Sequence, residues 1–459
     1  MSLAETSSEH AGASRARTGA GDLHRMHASK IDRIASQLRR RTSGKPLVLQ
    51  KKSVSHQVPK AHDPSYRDEA IDVSDLTAIL EIDVPNRRCV AEAGVTFAEL
   101  VKATLPHGLI PAVVPELKTI TVGGAVAGCS VESMSFRVGG FHDTCLEYEV
   151  VTAAGDVLRC RPDGEHALLF QMMHGTFGTM GILSELTFRL VPARRHVRIS
   201  YRKHPDVRAF QREIVDHFRA NDVDFMDGLI HSPSEWVLNR ASFVDDAPYT
   251  NRYDWTKVYY QTTRTRSEDF LRTEDYLFRY DRGVTNVHPR SFIGRLLLGK
   301  VLGSSQHLRL AEIFNDWLPA RKPTVTLDVF IPFSRAAAFL DWFEGRFRFF
   351  PLWCVPYRRV RDYEWLCPTF YAGCTDELFL DLAIYGMKQP RDHNAYRDIE
   401  EALPRFGGMK TLISHNYYSK DAFWGIWNKD NHDKVKALTD PHNIFLDLYE
   451  KTCRSGARA

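Results

Sequence analysis

The stretch "TITVGGAVAGCSVESMSFRVGG", residues 119–140, carries five glycines among small and hydroxyl-bearing residues. It fits neither GxGxxG nor GxxxxGK[ST], which excludes the two common phosphate-binding turns. Gly123-Gly124 and Gly139-Gly140 still let the backbone approach a partner closely and present N–H groups that a Cβ would shield. On these residues alone two readings stay open: a pair of tight turns between strands, or a cradle for an anion or a flat cofactor.

Working outward, Leu80, Ile82 and Val84 alternate with Glu81 and Asp83, and after Pro85-Asn86 "RRCVAEAGV" returns, which predicts a hairpin. Thr96 with Glu99 is a capping-box pattern opening a helix whose Phe97, Leu100, Val101 and Leu105 face inward. After the glycine loop, "CLEYEVVTAAGDVLRC" predicts a second hairpin. A second glycine-rich loop (Gly175, Gly178, Gly181) then leads into a strand in which Leu186, Phe188 and Leu190 alternate. Upstream, Ile31, Ile34 and Leu38 share one helical face ending in Arg39–Arg41, and "PLVLQ" reads as a strand. Residues 26–195 are thus one mixed unit of helices and strands.

From Arg195 the order is strand, helix, strand, strand, and it recurs from "TVTLDVFIP" to "ELFLDLAIYG". This echo predicts a second domain, residues 196–409, built on an antiparallel sheet with helices on one face. Between its halves, residues 255–305 are basic, aromatic and apolar by turns. They fit either a lid or membrane-surface segment, or packed core under a long connection. Residues 410–459 close the chain, and residues 1–25 read as a disordered tail.

The 459 residues, 43% of them hydrophobic, are enough for two or three cores. Sixty-one basic against 57 acidic side chains leave a net +4, too near balance for nucleic acid as a bulk partner. Eight single cysteines without CxxC fit a reducing compartment. Nineteen scattered histidines without HExxH give no metal site. The absence of an 18-residue apolar run and of a signal-peptide core leads to the expectation of a cytoplasmic protein.

Taken in order, "AILEIDVPNRRCVAEAGVTFAELVKATLPHGLIPAVVPELKTITVGGAVAG", "GTFGTMGILSELTFRLVP" and "DPHNIF" resemble the PCMH-type FAD-binding domain of the vanillyl-alcohol-oxidase superfamily. "PLWCVPY", "LFLDLAIYG" and "NYYSKDAFW" are most similar to the delta-24 sterol reductase (seladin or diminuto) family, and the likeness runs from about residue 45 to 453. The resemblance implies an α+β protein. A two-subdomain FAD-binding domain is joined by a cap domain with an antiparallel sheet, and a C-terminal segment returns to the flavin. It implies noncovalent FAD held by Ser53, Ser55 and His56, by Thr121, Val122, Gly123, Gly124, Gly128, Ser130 and Val131, and by Gly178, Thr179, Gly181 and Ile182.

For catalysis the resemblance places Tyr417 and Lys420, in a Tyr-x-x-Lys spacing, against the flavin ring, where reduction builds negative charge. Tyr417, Tyr418, His415 and Glu132 are the candidate proton donors. The implied activity is reduction of an isolated C=C in a lipid, a sterol side chain or a methylene-branched fatty acyl chain. NADPH would visit the flavin pocket transiently, and the protein would sit peripherally at a membrane. Two alternatives remain: an alcohol, hydroxy-acid or sugar oxidase or dehydrogenase of the same fold, and a non-catalytic lipid-binding scaffold.

Overall fold

The computed structural model describes residues 5–53, 68–254, 257–281, 283 and 324–454, with side chains of the first helix from Gly21 onward. That helix, α1 (Glu5–Arg39), already runs from Glu5, so the expected tail over 1–25 is corrected. Ala, Glu and Arg propagate a helix readily once its far end is docked. The docking is done by Ile31, Ile34 and Leu38, which pack against Leu47, Ile71, Val151 and Ile182.

The short strands β1 (Leu47–Gln50) and β2 (Glu69–Asp72) pair in parallel. The first large sheet comprises β3 (Ile79–Asp83), β4 (Arg88–Glu92), β5 (Leu109–Pro111), β6 (Cys145–Val151), β7 (Val157–Cys160) and β8 (Ile182–Pro192). Its order is β3-β4-β8-β6-β7 with β5 on β8, so both expected hairpins meet on the long central strand β8. Helix α2 (Phe97–Thr104) begins as its sequence dictates: Thr96 N donates to Glu99 Oε2 at 2.9 Å and Glu99 N to Thr96 Oγ1 at 3.3 Å. The opening glycine stretch folds into α3 (Val122–Ala127), capped by Thr121 Oγ1, which accepts from Gly124 N at 3.2 Å.

The chain changes sheets between Pro192 and His196. The second sheet takes β9 (His196–His204), helix α4 (Val207–Ala220), β10 (Phe225–Ser232), β11 (Glu235–Val244) and β12 (Glu268–Arg272). It continues with β13 (Val325–Pro332), helix α5 (Ala336–Phe347), β14 (Leu352–Arg358), β15 (Leu378–Met387), helix α6 (Ala395–Ala402) and β16 (Met409–Lys410). The order β12-β9-β11-β10-β14-β15-β13-β16 is antiparallel throughout. The internal echo is therefore real. Each half is strand–helix–strand–strand with its last strand in the middle, and the halves join where Leu229 pairs with Trp353. One sheet face is covered by α4, α5 and α6, and the other turns toward the first domain.

Of the segment 255–305, residues 255–256, 282 and 284–305 lie outside the described residues. The rest is core. Phe270 and Leu271, expected at a lipid surface, are buried on β12, and Arg264 pairs with Glu235. The membrane-surface reading is corrected there, because Leu271 packs into the core between the domains while Phe270, on the opposite face of the strand, is covered by Tyr249. Three further helices, α7 (Lys420–Trp424), α8 (Lys429–Thr439) and α9 (Leu448–Cys453), bring the C-terminus back to the first domain. Ala153 N donates to Thr439 O at 2.8 Å and Leu47 N to Ile444 O at 2.7 Å.

Candidate active site

Between the β1–β2 pair and the first sheet lies a cleft with about 1320 Å³ of empty space, its open mouth included. Of the residues expected to hold a dinucleotide, Ser53, Thr121, Gly123, Gly124, Gly128, Ser130, Gly178 and Gly181 line it. Val122 does not: α3 is a helix, so its exposed side is 123, 124 and 127 while Val122, Ala125 and Val126 go into the core. Ile182 is buried for the matching reason in a strand, where its neighbour Leu183 faces the cleft. Thr179 is buried with its hydroxyl on Thr176 O at 2.8 Å. Val131 faces elsewhere, as described below. Ser55 and His56 lie outside the described residues. Lys51, Lys52, Phe177 and Ile413 line the cleft without having been singled out.

This cleft fits FAD. A Cβ on Gly123 would stand 2.8 Å from Ala93 Cβ and 2.9 Å from its carbonyl oxygen, so only glycine lets α3 press against that wall. Gly178 and Gly181 hold φ of +74° and +128°. Lys451 Nζ lies 3.9 Å from where a Gly178 Cβ would be. Its ammonium is pushed down to about 8 by burial and by the neighbouring Lys51 and Lys436 cations. Cations crowded until they repel one another suit a polyanion such as a pyrophosphate.

A second, much smaller recess, with about 400 Å³ of empty space, its open mouth included, lies between the first domain and the uncovered face of the eight-stranded sheet. Its walls are aromatic: Phe330, Tyr357, Tyr363, Trp365, Tyr371 and Phe379, with Cys129, Val131 and His142 from the first domain and Arg359. The chain at 128–131 divides the two spaces, since Gly128 and Ser130 face the cleft while Cys129 and Val131 face the cavity. The Tyr357 and Tyr363 hydroxyls touch, and both donate to Asp143 Oδ2, at 3.4 and 3.0 Å. Gly140 N donates to the same oxygen at 2.9 Å, and Arg361 Nε is 3.4 Å from Oδ1. Burial pushes both phenols well above their ordinary range, so they stay protonated at neutral pH. Burial likewise lowers the His142 imidazole, keeping it neutral.

Beside this cavity on the same sheet face lie buried carboxyls. Asp328 stands two residues before Phe330 on β13, and Asp381 two after Phe379 on β15. Burial raises Asp328 to about 7, and burial with the nearby Glu132 and Asp328 charges raises Glu116 to about 8. Tyr385 Oη donates to Asp328 Oδ1 at 2.7 Å. A carboxyl interrupting an apolar run, as in "TVTLDVFIP" and "LFLDLAIYG", is the sequence signal that points to them. Glu132 belongs to a different set, 3.1 Å from Arg279, which also reaches Asp227 at 3.1 Å.

The C-terminal candidates lie apart from the cleft lining. Lys420 is the exposed first residue of α7, because Ser419 Oγ caps that helix (Ala422 N donates to it at 3.2 Å) and Phe423 takes the inward place. Tyr417 stacks on His415 on the helix-covered side, with ring centroids 6.4 Å apart, and Arg397 over it at 5.3 Å. Neither Tyr417 nor Lys420 lines the cleft, which this segment reaches at Ile413. His415 is buried beside Tyr396, and Tyr418 packs on Phe423 and Trp427. The buried lysine here is Lys410, whose Nζ donates to His415 O at 3.0 Å and lies 3.2 Å from Glu400.

Fold and cleft together define the class: the chain carries a PCMH-type FAD-binding domain, and residues 54–161 match the family model described as an FAD binding domain. It is an FAD-linked oxidoreductase, distantly homologous over most of its length to delta(24)-sterol reductases. The Caenorhabditis elegans delta(24)-sterol reductase homolog is 23% identical over 436 residues, 86% of this chain and 81% of that protein. The human delta(24)-sterol reductase is 23% identical over 406 residues, 83% of this chain and 77% of its own. Cytokinin dehydrogenase 6 of rice is 31% identical over 164 residues, 34% of this chain and 30% of that protein. Among the described residues no helix is long and apolar enough to cross a membrane, and no group of His, Cys, Asp or Glu is placed to hold a metal ion.

Proposed function

We propose that this protein reduces an isolated carbon–carbon double bond in a lipid, with NADPH as the source of electrons. The reading rests on one observation: an aromatic cavity holding two protonated phenols is separated from the FAD cleft only by the 128–131 wall. FAD would supply the hydride, which requires its ring to reach past the 128–131 wall to the alkene. The rings around the cavity exclude water and hold an apolar chain. The Tyr357–Tyr363 pair, fixed on Asp143, provides a proton for the second alkene carbon, and the resulting phenolate is held by the hydrogen bond within the pair and offset by the nearby Arg361 cation. NADPH has no separate dinucleotide fold in the sequence and would visit the cleft in turn. The similarity to delta(24)-sterol reductases supports the reading.

A second reading, an FAD-dependent dehydrogenase taking hydride from an alcohol, finds support in Glu116 and Asp328. Held near 8 and 7, each becomes a carboxylate base within the ordinary pH range. Anaerobic mixing separates the two. Bleaching of the flavin band by NADPH, followed by its return on adding an unsaturated lipid, fits the reductase. Bleaching by an alcohol instead replaces it with the dehydrogenase. The lipid would be drawn from a membrane surface in the cytoplasm by peripheral contact.

A further inference from the structure

Three arginines follow Tyr357 at the end of β14, and they are treated differently. Arg358 Nε pairs with Glu377 at 2.7 Å, and Arg361 with Asp143 at 3.4 Å. Arg359 lines the aromatic cavity, its guanidinium donates one hydrogen bond, to Cys374 O at 3.1 Å, and it has no carboxylate partner among the described residues. Its guanidinium lies over Tyr371 and Phe379, 5.7 and 5.9 Å from the ring centroids. A guanidinium carries five N–H donors, and Arg359, half-buried over two rings with one of them bonded to Cys374 O, keeps the others free for a further partner. A cation so placed is completed by an anion. A second donor is unpaired in the same lining: Trp365, more than nine-tenths buried, has its Nε1 without a hydrogen-bond partner.

We infer that the cavity takes an amphiphile with an aliphatic body and an anionic head, the head seated on Arg359 and the chain lying along the aromatic walls toward Tyr357 and Tyr363. The inference rests on the proposed use of the cavity as the lipid site and narrows it. A long-chain carboxylate or phosphate ester gives Arg359 a counter-charge, whereas a neutral sterol gives it none. A hydrogen-bonded guanidinium–anion contact at a partly buried site is strong enough for its loss to register as about a tenfold weakening.

The test uses the full-length, FAD-loaded protein and direct calorimetric titration, each ligand kept below its micellar limit. Oleate and a lysophosphatidylglycerol carry the two kinds of anionic head, and oleyl alcohol and a neutral sterol carry none. Oleate, the lysolipid or both should bind at least about tenfold more tightly than the neutral ligands, and which of the two does so identifies the head. Arg359→Gln should remove that advantage and leave oleyl alcohol within about twofold, whereas Arg358→Gln, which alters the paired neighbour, should leave it intact. The inference is overturned if the sterol or the alcohol binds as tightly as both anions, if no anion binds, or if Arg359→Gln binds oleate and the lysolipid as wild type does. FAD content and NADPH bleaching, measured on the same samples, report on the reductase reading independently.

Discussion

Cys129 and Ser130 are neighbours in the chain yet face different spaces, Cys129 the aromatic cavity and Ser130 the flavin cleft. Cys129 holds φ of +53°, an uncommon conformation for a residue with a side chain, and this turn keeps the wall one residue thick. Replacing Cys129 with glycine should leave FAD bound and the fold intact, since the backbone conformation becomes easier to adopt. Absorbance at the flavin band and thermal melting check this. A loss of flavin would assign the thiol itself to the cleft.

The two glycines of α3 should fail differently. Gly124 faces the cleft, and a Cβ there would meet only Thr121 Oγ1 at 3.2 Å, so Gly124→Val should fold but lose FAD as its methyls enter the cleft. Gly123 is pressed on Ala93, so Gly123→Ala should lower stability by about 1–3 kcal/mol as α3 is pushed off the wall. Flavin-to-protein absorbance and chemical unfolding separate these outcomes. Full flavin occupancy in Gly124→Val would empty the cleft assignment of its content.

Tyr363→Phe should retain FAD and slow lipid-dependent reoxidation of the reduced flavin by about a hundredfold, the usual scale for a lost general acid. Tyr357→Phe should act similarly, because the two hydroxyls form one unit on Asp143. Single-turnover absorbance in both variants is the measurement. Wild-type rates in both would leave the proton to come from the Glu116–Asp328 region.

Much of this arrangement was legible in the sequence, and the failures share a cause. Alternation and capping at Leu80–Val84 and Thr96–Glu99 are local signals, and the strand–helix–strand–strand echo survives because each half makes its own sheet segment. A helix and a strand send neighbouring residues to opposite sides, so Val122, Val131 and Ile182 do not line the cleft although the residues beside them do. The aromatic cavity was beyond reach from the sequence. Its lining is drawn from positions as far apart as Cys129 and Met409, brought together only by the packing of one domain on the other. The assignment of Lys420 rests on the resemblance and its Tyr-x-x-Lys spacing, whereas the local cap at Ser419 turns its side chain outward.

Lys410 and Lys420 therefore make a paired prediction. Lys420→Met should leave flavin content, midpoint potential and stability unchanged, since the side chain is exposed on α7. Lys410→Met leaves Glu400 buried without its cation and should cost about 3 kcal/mol or more. Potentiometry and unfolding of the two variants decide. A lowered flavin potential in Lys420→Met would restore that residue to the flavin.

The docking of α1 should depend on pH through one histidine. His27, its side chain 5% exposed, shares hydrogen bonds of 2.9 Å with Glu92 and with Glu149, and lies 3.6 Å from Glu185. Lys30 pairs with Glu92 at 2.8 Å, while Arg159 reaches Glu149 and Glu185, so the group faces carboxylates that are already partly neutralised. Burial opposes charging the imidazole. The hydrogen bonds to Glu149 and Glu92 outweigh it, and the group is raised from 6.5 to about 9. A folded-state value above the unfolded one means that the protonated histidine stabilises the fold. That contribution is complete below about pH 6.5 and is lost as pH rises through about 9. His27→Gln keeps hydrogen-bonding capacity without the charge. It should lower stability by about 2 kcal/mol or more at pH 6, since breaking a buried charged pair exposes the cost of its partners, and by much less at pH 10. The measurement is the difference in unfolding free energy between wild type and His27→Gln from pH 6 to 10, with trypsin cleavage at Arg39–Arg41 reporting the release of α1. A difference that stays constant across that range would show that folding does not shift the His27 titration and that α1 is held without it, by Ile31, Ile34, Leu38 and the Lys30–Glu92 pair.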